Sequence, residues 1–311
     1  MPPKKPSRRF SITLPATSAN LGPAFDAAAL AFDLHLKLEA RVASEYSIQA
    51  TGRDADVCGN LDNHLILTTY REVLEAAQRP APPLTLKIVN DIPIGKGCGS
   101  SAAARLAGIA LANHFGRLRW NDAQIVGEAS RREHHPDNAS ACWMGGLTVA
   151  RMSGEAKAQV ARIAPKGKWP LLLAVPPEPL STEKARSVLP SQYSRADAVL
   201  NIQNSMLLLA AFMQRKPEFL EAALEDRIHQ PYRSTLCPLL PAMQAFAGAG
   251  ILGTALSGAG PSVLIFLDPR SKVVPKKIAA RVAAYLKAKN LPAELLLTTI
   301  ASKGAAASRK A

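Results

Sequence analysis

Ile92-Pro-Ile-Gly-Lys-Gly-Cys-Gly-Ser-Ser-Ala-Ala-Ala104 decides how this chain folds. Within it three glycines alternate with other residues, and two serines then open an alanine-rich run. The preceding segment, Leu84–Asn90, alternates apolar and polar residues, which is the pattern of a half-buried strand. The following segment, Ser101–Phe115, is rich in Ala and Leu at helical spacing and begins with serine, a natural helix start. The sequence therefore predicts a strand, a glycine loop and the N-terminus of a helix.

A glycine-rich loop at the start of a helix is suited to bind phosphate. Glycine lets backbone N–H groups approach an anion closely, and the helix dipole adds positive potential there. The P-loop pattern is absent because no Gly-Lys-Ser/Thr follows the loop, and the dinucleotide pattern is absent because the third glycine comes one residue early. A glycine-rich turn without a ligand is the alternative for this segment on its own. The predicted phosphate-binding residues are Pro93, Ile94, Gly95, Lys96, Gly97, Cys98, Gly99, Ser100 and Ser101.

The size and composition of the chain are those of a soluble globular protein. Its 311 residues are 48% hydrophobic and 20% charged, which allows one large domain or two ordinary ones. No apolar run reaches membrane-spanning length and no signal-type segment follows a charged start, so we expect a cytoplasmic protein without a membrane partner. The four cysteines form no C-x-x-C pair, which favours reduced, buried thiols over a metal site: Cys58, Cys98, Cys142 and Cys237.

The formal net charge is +14, and basic residues are concentrated near both ends of the chain. Residues 1–9 and 302–311 combine Lys and Arg with Pro, Ala or Ser, and we expect both tails to be disordered. A basic chain can attract nucleic acid or an anionic substrate such as ATP. Because aromatic residues make up only 5% and no RNA-recognition motif is present, ATP is favoured, and nucleic-acid binding stays a lesser alternative.

Three segments of the chain resemble, in order, the three motifs of the GHMP kinases. The glycine loop is similar to the second motif. Pro15-Ala-Thr-Ser-Ala-Asn-Leu-Gly-Pro-Ala-Phe-Asp26 resembles the first motif of the homoserine kinases within that family and departs from it at Ala24, where the family has glycine. Leu256-Ser-Gly-Ala-Gly-Pro-Ser-Val263 resembles the third motif. The resemblance extends from about residue 10 to about residue 300.

This resemblance implies an α+β fold, the two-domain GHMP kinase fold. Residues 1–166 would form a ribosomal-S5-domain-2-like N-terminal domain that binds ATP, and residues 167–311 a ferredoxin-like C-terminal domain, with the site in the cleft between them. A composition break at Pro165–Pro170 marks the same boundary independently of the resemblance. Along the chain we also predict a helix from Glu218 to His229 and a polar segment, Glu133–Val149, that ends in a strand.

The resemblance also implies a function. The chain would be a kinase that uses ATP and Mg²⁺ to phosphorylate L-homoserine to O-phospho-L-homoserine, a step of threonine biosynthesis. Two alternatives stay open: another GHMP small-molecule kinase, of the mevalonate or methylerythritol-pathway type, and a non-catalytic relative that binds ligand without transfer. The second is motivated by departures from the family pattern at Ala24, Cys98 and Ala139–Met144. Dimers are usual among homoserine kinases, so the resemblance implies a homodimer.

Nucleotide and metal residues follow from the same comparison of motifs. Asn63, near the start of a helix predicted to run to about Gln78, matches an asparagine that approaches adenine, and a plain helix cap by Asp62 or Asn63 is an equally good interpretation. Glu128 matches the carboxylate that holds Mg²⁺, with Ser100 as its hydroxyl partner. Without the resemblance, Glu128 would be interpreted as a solvated helix charge.

The substrate residues are implied in the same way. Asp26 is the candidate to receive the proton of the substrate hydroxyl, and Glu128 is the second catalytic candidate. An arginine suits a substrate carboxylate because its fork can bond both oxygens. Any single arginine in so basic a chain is more simply a surface charge, but matches at two family positions argue against that. The residues implied to bind homoserine are Asn20, Asp26, His135, Asp137, Thr182, Arg186 and Arg233.

Overall fold

The structure, a computed structural model, describes residues 9–164, 167–246 and 248–310. In its first half, helices pack against one sheet of six strands. The elements of this half are β1 (Arg9–Asn20), β2 (Ala24–Val42), β3 (Ser47–Gly52), α1 (Ala55–Gly59), α2 (Leu65–Ala76), β4 (Leu84–Asn90), α3 (Ser100–Phe115), α4 (Asp122–Glu133), α5 (Asp137–Met144), β5 (Leu147–Gly154) and β6 (Lys157–Ile163).

The second half contains a sheet of four strands and most of the shorter helices. Its elements are β7 (Pro170–Val175), α6 (Thr182–Ser187), α7 (Arg195–Gln214), a 3₁₀ turn (Pro217–Phe219), α8 (Leu220–Ala223), α9 (Gln230–Arg233), α10 (Leu239–Gln244), β8 (Ile251–Leu256), β9 (Val263–Leu267), α11 (Pro275–Ala288), β10 (Glu294–Thr299) and a final 3₁₀ turn (Ala305–Ser308).

The first sheet is organised around β2, which pairs with β1, β4 and β5. The strand order is β3-β4-β2-β5-β6, with β1 also paired to β2, and only the β3–β4 pair is parallel. Residues Ala28–Phe32 of β2 are all buried, as expected for a strand segment covered on both faces. This buried segment begins two residues after the end of the first motif at Asp26, so it anchors that motif in the core.

Helices α2 and α3 pack closely against each other at Gly108. A Cβ atom at this position would lie 2.6 Å from the carbonyl oxygen of Ile66 and 2.7 Å from the Cβ of Thr69, both in α2. Glycine therefore allows an approach that no other residue permits. Leu106 and Ile109 of α3 are fully buried. The packing fixes the position of α3, whose N-terminus follows the glycine loop.

The second sheet is antiparallel throughout, in the order β10-β7-β9-β8. Residues Leu171–Val175 of β7 and every residue of β9 are buried. Met243 of α10 and Val282 of α11 join the core that covers one face of this sheet. Two sheets with helices packed on them confirm the predicted α+β fold. The four cysteines are buried and free, as predicted.

The C-terminal segment contradicts one prediction. We expected residues 302–311 to be disordered, but residues 302–310 return to the first sheet. The backbones of Lys310 and Ser11 exchange two hydrogen bonds of 2.9 and 3.0 Å, and the Ser308 hydroxyl donates to the Thr13 carbonyl oxygen at 2.8 Å. The end of the chain therefore belongs to the N-terminal half rather than to the predicted domain 167–311. Residues 1–8 lie outside the described residues, and Arg9 begins β1.

A tight contact between the C-terminal segment and α5 explains why the tail is ordered. The Arg309 guanidinium carbon lies 4.9 Å from the ring centre of Trp143 and the side chain bonds Asp122 at 2.9 Å. A Cβ atom on Gly304 would lie 2.3 Å from the carbonyl oxygen of Trp143. Trp143 is fully buried beneath this segment. The small residues that suggested disorder are therefore the ones that permit close packing.

The helix predicted from Glu218 to His229 is wrong, because the chain there forms only the turn at Pro217–Phe219 and the short helix α8. The carboxylate of Asp226 accepts hydrogen bonds from the backbone N–H groups of the next residues that begin α9, so the preceding helix cannot continue through it. These donors are Ile228, His229 and Gln230, at 2.9, 2.9 and 2.6 Å.

Two further local predictions differ from the structure. The segment after His135 forms α5 before the strand β5 begins, and the sequence had indicated only a polar stretch ending in a strand. The N-cap of α2 is His64, one residue after the later of the two expected caps, and Asn63 has a positive φ of 53°. Asn63 is thus left outside the helix, where its side chain is not committed to capping.

The ordered tail gives a stability prediction. Deleting residues 304–311 removes the cation–π contact on Trp143, the backbone bonds to Ser11 and the burial of Ala305. We expect the free energy of unfolding to fall by about 2 to 4 kcal/mol, measured by urea denaturation. The matched control Lys310→Ala keeps the backbone bonds and should change that free energy by less than about 0.5 kcal/mol. An unchanged unfolding midpoint after the deletion would contradict the packing described for this segment.

Candidate active site

The three glycine-containing motifs meet at one place. The backbone N–H of Thr17 in the first motif donates to the carbonyl oxygen of Cys98 in the glycine loop at 3.0 Å. The Ser257 hydroxyl in the third motif lies 2.8 Å from the carbonyl oxygen of Gly97 and 2.9 Å from the hydroxyl of Ser18. One serine of the second half of the chain therefore bonds both loops of the first half, and the cleft is closed at this point.

Gly97 and Gly99 are required by this closure. Both have positive φ, 75° and 70°. A Cβ atom on Gly97 would lie 2.1 Å from the carbonyl oxygen of Ser257, and one on Gly99 would lie 1.9 Å from the Thr17 hydroxyl oxygen. The sequence analysis explained these two glycines by the close approach of phosphate to the backbone. The structure adds a second reason for them, since the neighbouring loops leave no room for any other side chain.

Cys98 and Lys96, the two residues that alternate with the glycines of the loop, have side chains engaged away from the cleft. Cys98 is fully buried, and burial raises the pKa of its thiol to about 12, so this cysteine is not a nucleophile. The Lys96 ammonium donates to the carbonyl oxygens of Pro176, at 3.0 Å, and Pro177. Lys96 thus links the loop to the second half of the chain. What the loop presents to the cleft is its backbone and the N-terminus of α3.

Two cavities meet at this loop. A larger one, of about 640 Å³, is lined by apolar side chains such as Ile88 and Ile92 and by Asn63, and has the size of a small-molecule binding pocket. A smaller one, of about 110 Å³, holds only a compact ligand and is lined by the predicted substrate residues. The two cavities share Gly95, Ser100 and Ser101. A ligand in each cavity would therefore touch the same helix N-terminus.

In the small cavity, Asp26 is held in a fixed orientation. Its carboxylate oxygens accept two hydrogen bonds from one nitrogen of Arg186, at 2.7 and 2.9 Å. Its backbone N–H donates to the Asn20 side-chain oxygen at 3.0 Å, and the Asn20 amide donates to the carbonyl oxygen of Gly258 at 2.8 Å. Asp26 has a positive φ of 53°, an unusual backbone for a residue other than glycine.

His135 and Asp137 form a buried pair that also lines this cavity. The Nδ1 atom of His135 lies 2.6 Å from a carboxylate oxygen of Asp137, which also accepts the backbone N–H of Asn138 at 2.6 Å. Burial opposes charge on the imidazole, but the hydrogen bond and charge of Asp137 prevail and raise the pKa of His135. Asp26, His135 and Asp137 place ligand atoms within 4.8 Å of one another.

Arg233 lies deeper than Arg186, beneath the ring of Phe25. The guanidinium carbons of Arg186 and Arg233 lie 5.4 and 5.3 Å from the centre of that ring. Arg233 is almost fully buried, and its Nε donates to the carbonyl oxygen of Ala185 at 2.9 Å. Burial and the charge of Arg186 lower the pKa of Arg233. Thr182 begins α6 and also lines the cavity.

The sequence analysis did not single out His229, whose ring contacts the buried Arg233. Its Nε2 donates to the carbonyl oxygen of Gly22 at 2.8 Å, and its Nδ1 accepts from Arg233 at 3.2 Å. This pattern requires the neutral ring. Burial, against the opposing charge of Asp226, lowers the pKa of His229 to about 4. No motif marks this residue, but its position four residues before Arg233 on one short helical turn was a usable signal.

The structure does not bring Glu128 into the cleft, which corrects its assignment as metal and catalytic residue. Its carboxylate bonds Arg131, at 2.8 and 2.9 Å, and Arg132, at 2.7 Å, on the surface of α4. These bonds outweigh burial and lower the pKa of Glu128, because they stabilise the carboxylate. The alternative interpretation of Glu128 in the sequence analysis, a charge on a helix, is the one observed.

Glu133 occupies the position predicted for Glu128. It accepts a hydrogen bond from the Ser101 hydroxyl at 2.7 Å and one from Arg105 at 2.5 Å, and it lines the small cavity. Five residues along an α-helix turn the side chain through about 140°, so Glu128 and Glu133 cannot face the same way. The feature of the sequence that could have identified Glu133 is its position just before His135-Pro-Asp137.

Comparison with known proteins gives a consistent result. Residues 64–146 match the family model described as GHMP kinases N terminal domain. The chain is 42% identical over 259 residues to the homoserine kinase of Solibacter usitatus, covering 83% of this chain and 85% of that one. It is 35% identical over 298 residues to the homoserine kinase of Desulfitobacterium hafniense, covering 95% and 98%.

Solved structures share the fold over nearly the whole chain. The homoserine kinase of Cytophaga hutchinsonii has a TM-score of 0.80 at 23% identity and covers 99% of this chain and 98% of its own. A mevalonate kinase of L. major in complex with R-mevalonate has a TM-score of 0.69 at 15% identity, covering 95% and 98%. At these identities the likeness establishes the fold alone.

The neutral His229 gives a prediction for the pH dependence of stability. Its folded pKa of about 4 lies below the unfolded value of about 6.5. The unfolded chain therefore binds the additional proton first, and stability falls as the pH drops from about 6.5 towards 4.

Between pH 6.5 and 5 this contribution is about 2 kcal/mol. Urea denaturation at both pH values should show that His229→Gln loses less stability than the unmodified chain over this interval. Parallel losses in the two proteins would contradict the neutral buried ring.

Proposed function

The chain belongs to the homoserine kinases, a branch of the GHMP kinase family, and we propose that it transfers the γ-phosphoryl group of ATP to the hydroxyl of L-homoserine. The products are ADP and O-phospho-L-homoserine, an intermediate of threonine biosynthesis. The observation that supports this best is the pair of cavities that meet at the glycine loop, one of nucleotide size and one of about 110 Å³ lined by two arginines and two aspartates.

The small cavity is suited to a compact zwitterion. Arg186 and Arg233 offer guanidinium groups to a carboxylate, and the buried Asp137 offers a carboxylate to an ammonium group. Because Arg186 already bonds Asp26, a substrate carboxylate would share this arginine with Asp26 or displace it. Asn20, His135 and Thr182 complete the polar lining. A non-amino-acid alcohol would leave the acidic side of this cavity without an ammonium partner.

The large cavity and the glycine loop are suited to ATP. Asn63 and the apolar lining would hold the adenosine portion, and the backbone from Gly95 to Ser101 would bind the phosphates. Backbone N–H groups at a helix N-terminus stabilise charge on the transferring phosphoryl group without reorganising during the reaction. Since Ser100 and Ser101 border both cavities, the γ-phosphate would face the small cavity, where the acceptor hydroxyl lies.

The residues beside the loop fit Mg²⁺. The Glu133 carboxylate and the hydroxyls of Ser100 and Ser101 are hard oxygen donors at the N-terminus of α3, the ligand type this ion prefers. When bound, Mg²⁺ neutralises charge on the β- and γ-phosphate oxygens. Glu133 therefore replaces Glu128 in our assignment, with Ser100 kept as a candidate ligand.

Asp26 is the proposed acceptor of the hydroxyl proton. Its carboxylate lies in the small cavity, and Asn20 and Arg186 hold it from two sides. Phosphoryl transfer depends mainly on positioning and charge neutralisation, so the chief contribution of Asp26 is to orient the hydroxyl towards the phosphate. A route in which the phosphate itself takes the proton would use the same orientation. A cytoplasmic location and a homodimer are further parts of the proposal.

An acceptor comparison tests the function. ADP release is measured with ATP and Mg²⁺ and one of four additions: L-homoserine, L-threonine, mevalonate or no acceptor. We expect kcat/KM for L-homoserine to exceed the others by at least about 10²-fold, since a cavity built for paired polar groups rejects compounds that leave them unpaired. Preferential turnover of mevalonate would overturn the substrate assignment, and binding of ATP without any turnover would favour a non-catalytic relative.

A matched pair of variants tests the metal assignment. Glu133→Gln should lower kcat by about 10²-fold or more and raise the Mg²⁺ concentration needed for half-maximal rate, because it removes the charged oxygen beside the phosphates. Glu128→Gln, five residues away on the same helix, should keep both quantities near those of the unmodified enzyme. The reverse ranking of the two variants in a Mg²⁺ titration would restore the original assignment to Glu128.

A further inference from the structure

Phe25 is an apolar residue of the first motif that does not belong to the hydrophobic core. Its neighbours Ala24 and Ala28 are buried and lie in the largest hydrophobic cluster of the protein. Phe25 itself is only partly buried, and in the described part of the chain it belongs to none of the hydrophobic clusters. Packing in the core therefore does not explain why an aromatic ring stands directly before Asp26.

The ring of Phe25 contacts the cationic side chains of the small cavity. The guanidinium carbon of Arg186 lies over this ring, 5.4 Å from its centre, and that of Arg233 lies over it at 5.3 Å. Both distances fall within the range of a cation–π interaction, in which the negative face of the ring attracts a cation. The imidazole of His229 also stacks on this ring, with the ring centres 5.2 Å apart. Two cations from different helices, α6 and α9, therefore converge on one aromatic side chain.

An aromatic ring holds two cations together in a way that a carboxylate does not. Burial and the charge of Arg186 lower the pKa of Arg233, so the two guanidinium groups repel each other. A carboxylate in place of the ring would attract both groups, but it would also neutralise the charge that an anionic substrate needs. The face of the Phe25 ring attracts both guanidinium groups and carries no net charge. Their positive potential is therefore kept for a ligand.

Both arginines also keep N–H groups for a ligand. Arg186 uses only one nitrogen, Nη2, in its bonds to Asp26. Arg233 uses Nε for the carbonyl oxygen of Ala185 and Nη1 for the ring of His229. Their other nitrogens have no hydrogen-bond partner among the described residues. Because both side chains line the small cavity, these nitrogens are donors available to an anion bound there.

We propose that Phe25 is a positioning residue for the substrate carboxylate: its ring holds the guanidinium groups of Arg186 and Arg233 near each other, so that both bond one carboxylate. This inference rests on the proposed function, because it takes that carboxylate to be the one of L-homoserine. Phe25 is not among the residues that line the small cavity, so it acts through the two arginines. Loss of the ring should therefore weaken substrate binding and leave the nucleotide site unchanged.

Steady-state kinetics of Phe25→Leu test the role of the ring. Leucine keeps an apolar side chain but removes the aromatic face, so the two guanidinium groups lose their shared partner. We expect KM for L-homoserine to rise by about tenfold or more, while kcat and KM for ATP each stay within about twofold of those of the unmodified enzyme. Phe25→Tyr is the matched control. It keeps the ring and should raise KM for L-homoserine by less than about threefold.

Three outcomes of these kinetics would overturn the proposal. The first is a KM for L-homoserine in Phe25→Leu that stays within about twofold of the unmodified value. The second is an equal rise in the leucine and tyrosine variants, which would assign the effect to the shape of the side chain. The third is a fall in kcat together with a rise in KM for both substrates, which would indicate a general disturbance of the cleft.

A double variant tests whether Phe25 acts through the arginines. Arg186→Met removes the guanidinium group that is partly exposed, whereas Arg233 is buried and less suited to replacement. If the ring acts through Arg186, adding Phe25→Leu to Arg186→Met should lower kcat/KM for L-homoserine by a factor at least about threefold smaller than Phe25→Leu causes alone. Equal factors in the two backgrounds would show that the two side chains act independently and would overturn the proposal.

Calorimetric titration with L-homoserine separates this inference from the proposed function. If the unmodified enzyme phosphorylates L-homoserine and Phe25→Leu binds it with the same affinity, the positioning role alone fails. If the unmodified enzyme releases no ADP with L-homoserine, the proposed function fails. In that case, weaker binding of L-homoserine to Phe25→Leu than to the unmodified chain still supports the positioning role, and equal binding, or binding to neither protein, overturns it.

Discussion

The hydrogen bonds of the Ser257 side chain are the interaction on which the active cleft depends. Ser257 directly follows β8 of the second sheet, and its hydroxyl bonds the glycine loop at Gly97 and the first motif at Ser18. Each such bond contributes only about 1 kcal/mol, but buried groups that lose a partner cost more. The backbone N–H of Leu180 adds a bond to the Gly95 carbonyl oxygen at 3.1 Å. The phosphate-binding loop is therefore fixed from both halves of the chain, and it is positioned before any ligand binds.

The burial of Arg233 is a second constraint, and it determines the electrostatic potential of the small cavity. A buried cation needs partners, and here they are the carbonyl oxygen of Ala185, the neutral ring of His229 and the face of Phe25. These partners satisfy hydrogen bonds without supplying a full negative charge. The nearby charge of Arg186 adds to the positive potential. The cavity therefore favours an anionic group of a substrate, and an amino-acid carboxylate meets that requirement.

The sequence predicted the fold and most of the cavity because glycine motifs and strand alternation are local signals. It failed where the deciding contact was distant or depended on helix phase. Glu128 and Glu133 lie on one helix, and only the direction in which α4 faces the cleft separates them. The C-terminal segment looks disordered by composition, and its order comes from packing of Gly304 against α5. His229 carries no motif, because its role is to remain neutral beneath Arg233.

The central claim is that one glycine loop holds a phosphate chain in line with the hydroxyl of an amino acid. A crystal structure of the enzyme with L-homoserine, Mg²⁺ and a non-hydrolysable ATP analogue tests it most directly. We expect phosphate oxygens on the backbone N–H groups between Gly95 and Ser101, and the homoserine carboxylate on Arg186 and Arg233. We expect the homoserine hydroxyl within about 3 Å of an Asp26 carboxylate oxygen. Homoserine bound with its carboxylate away from both arginines, or phosphates bound outside the loop, would contradict it.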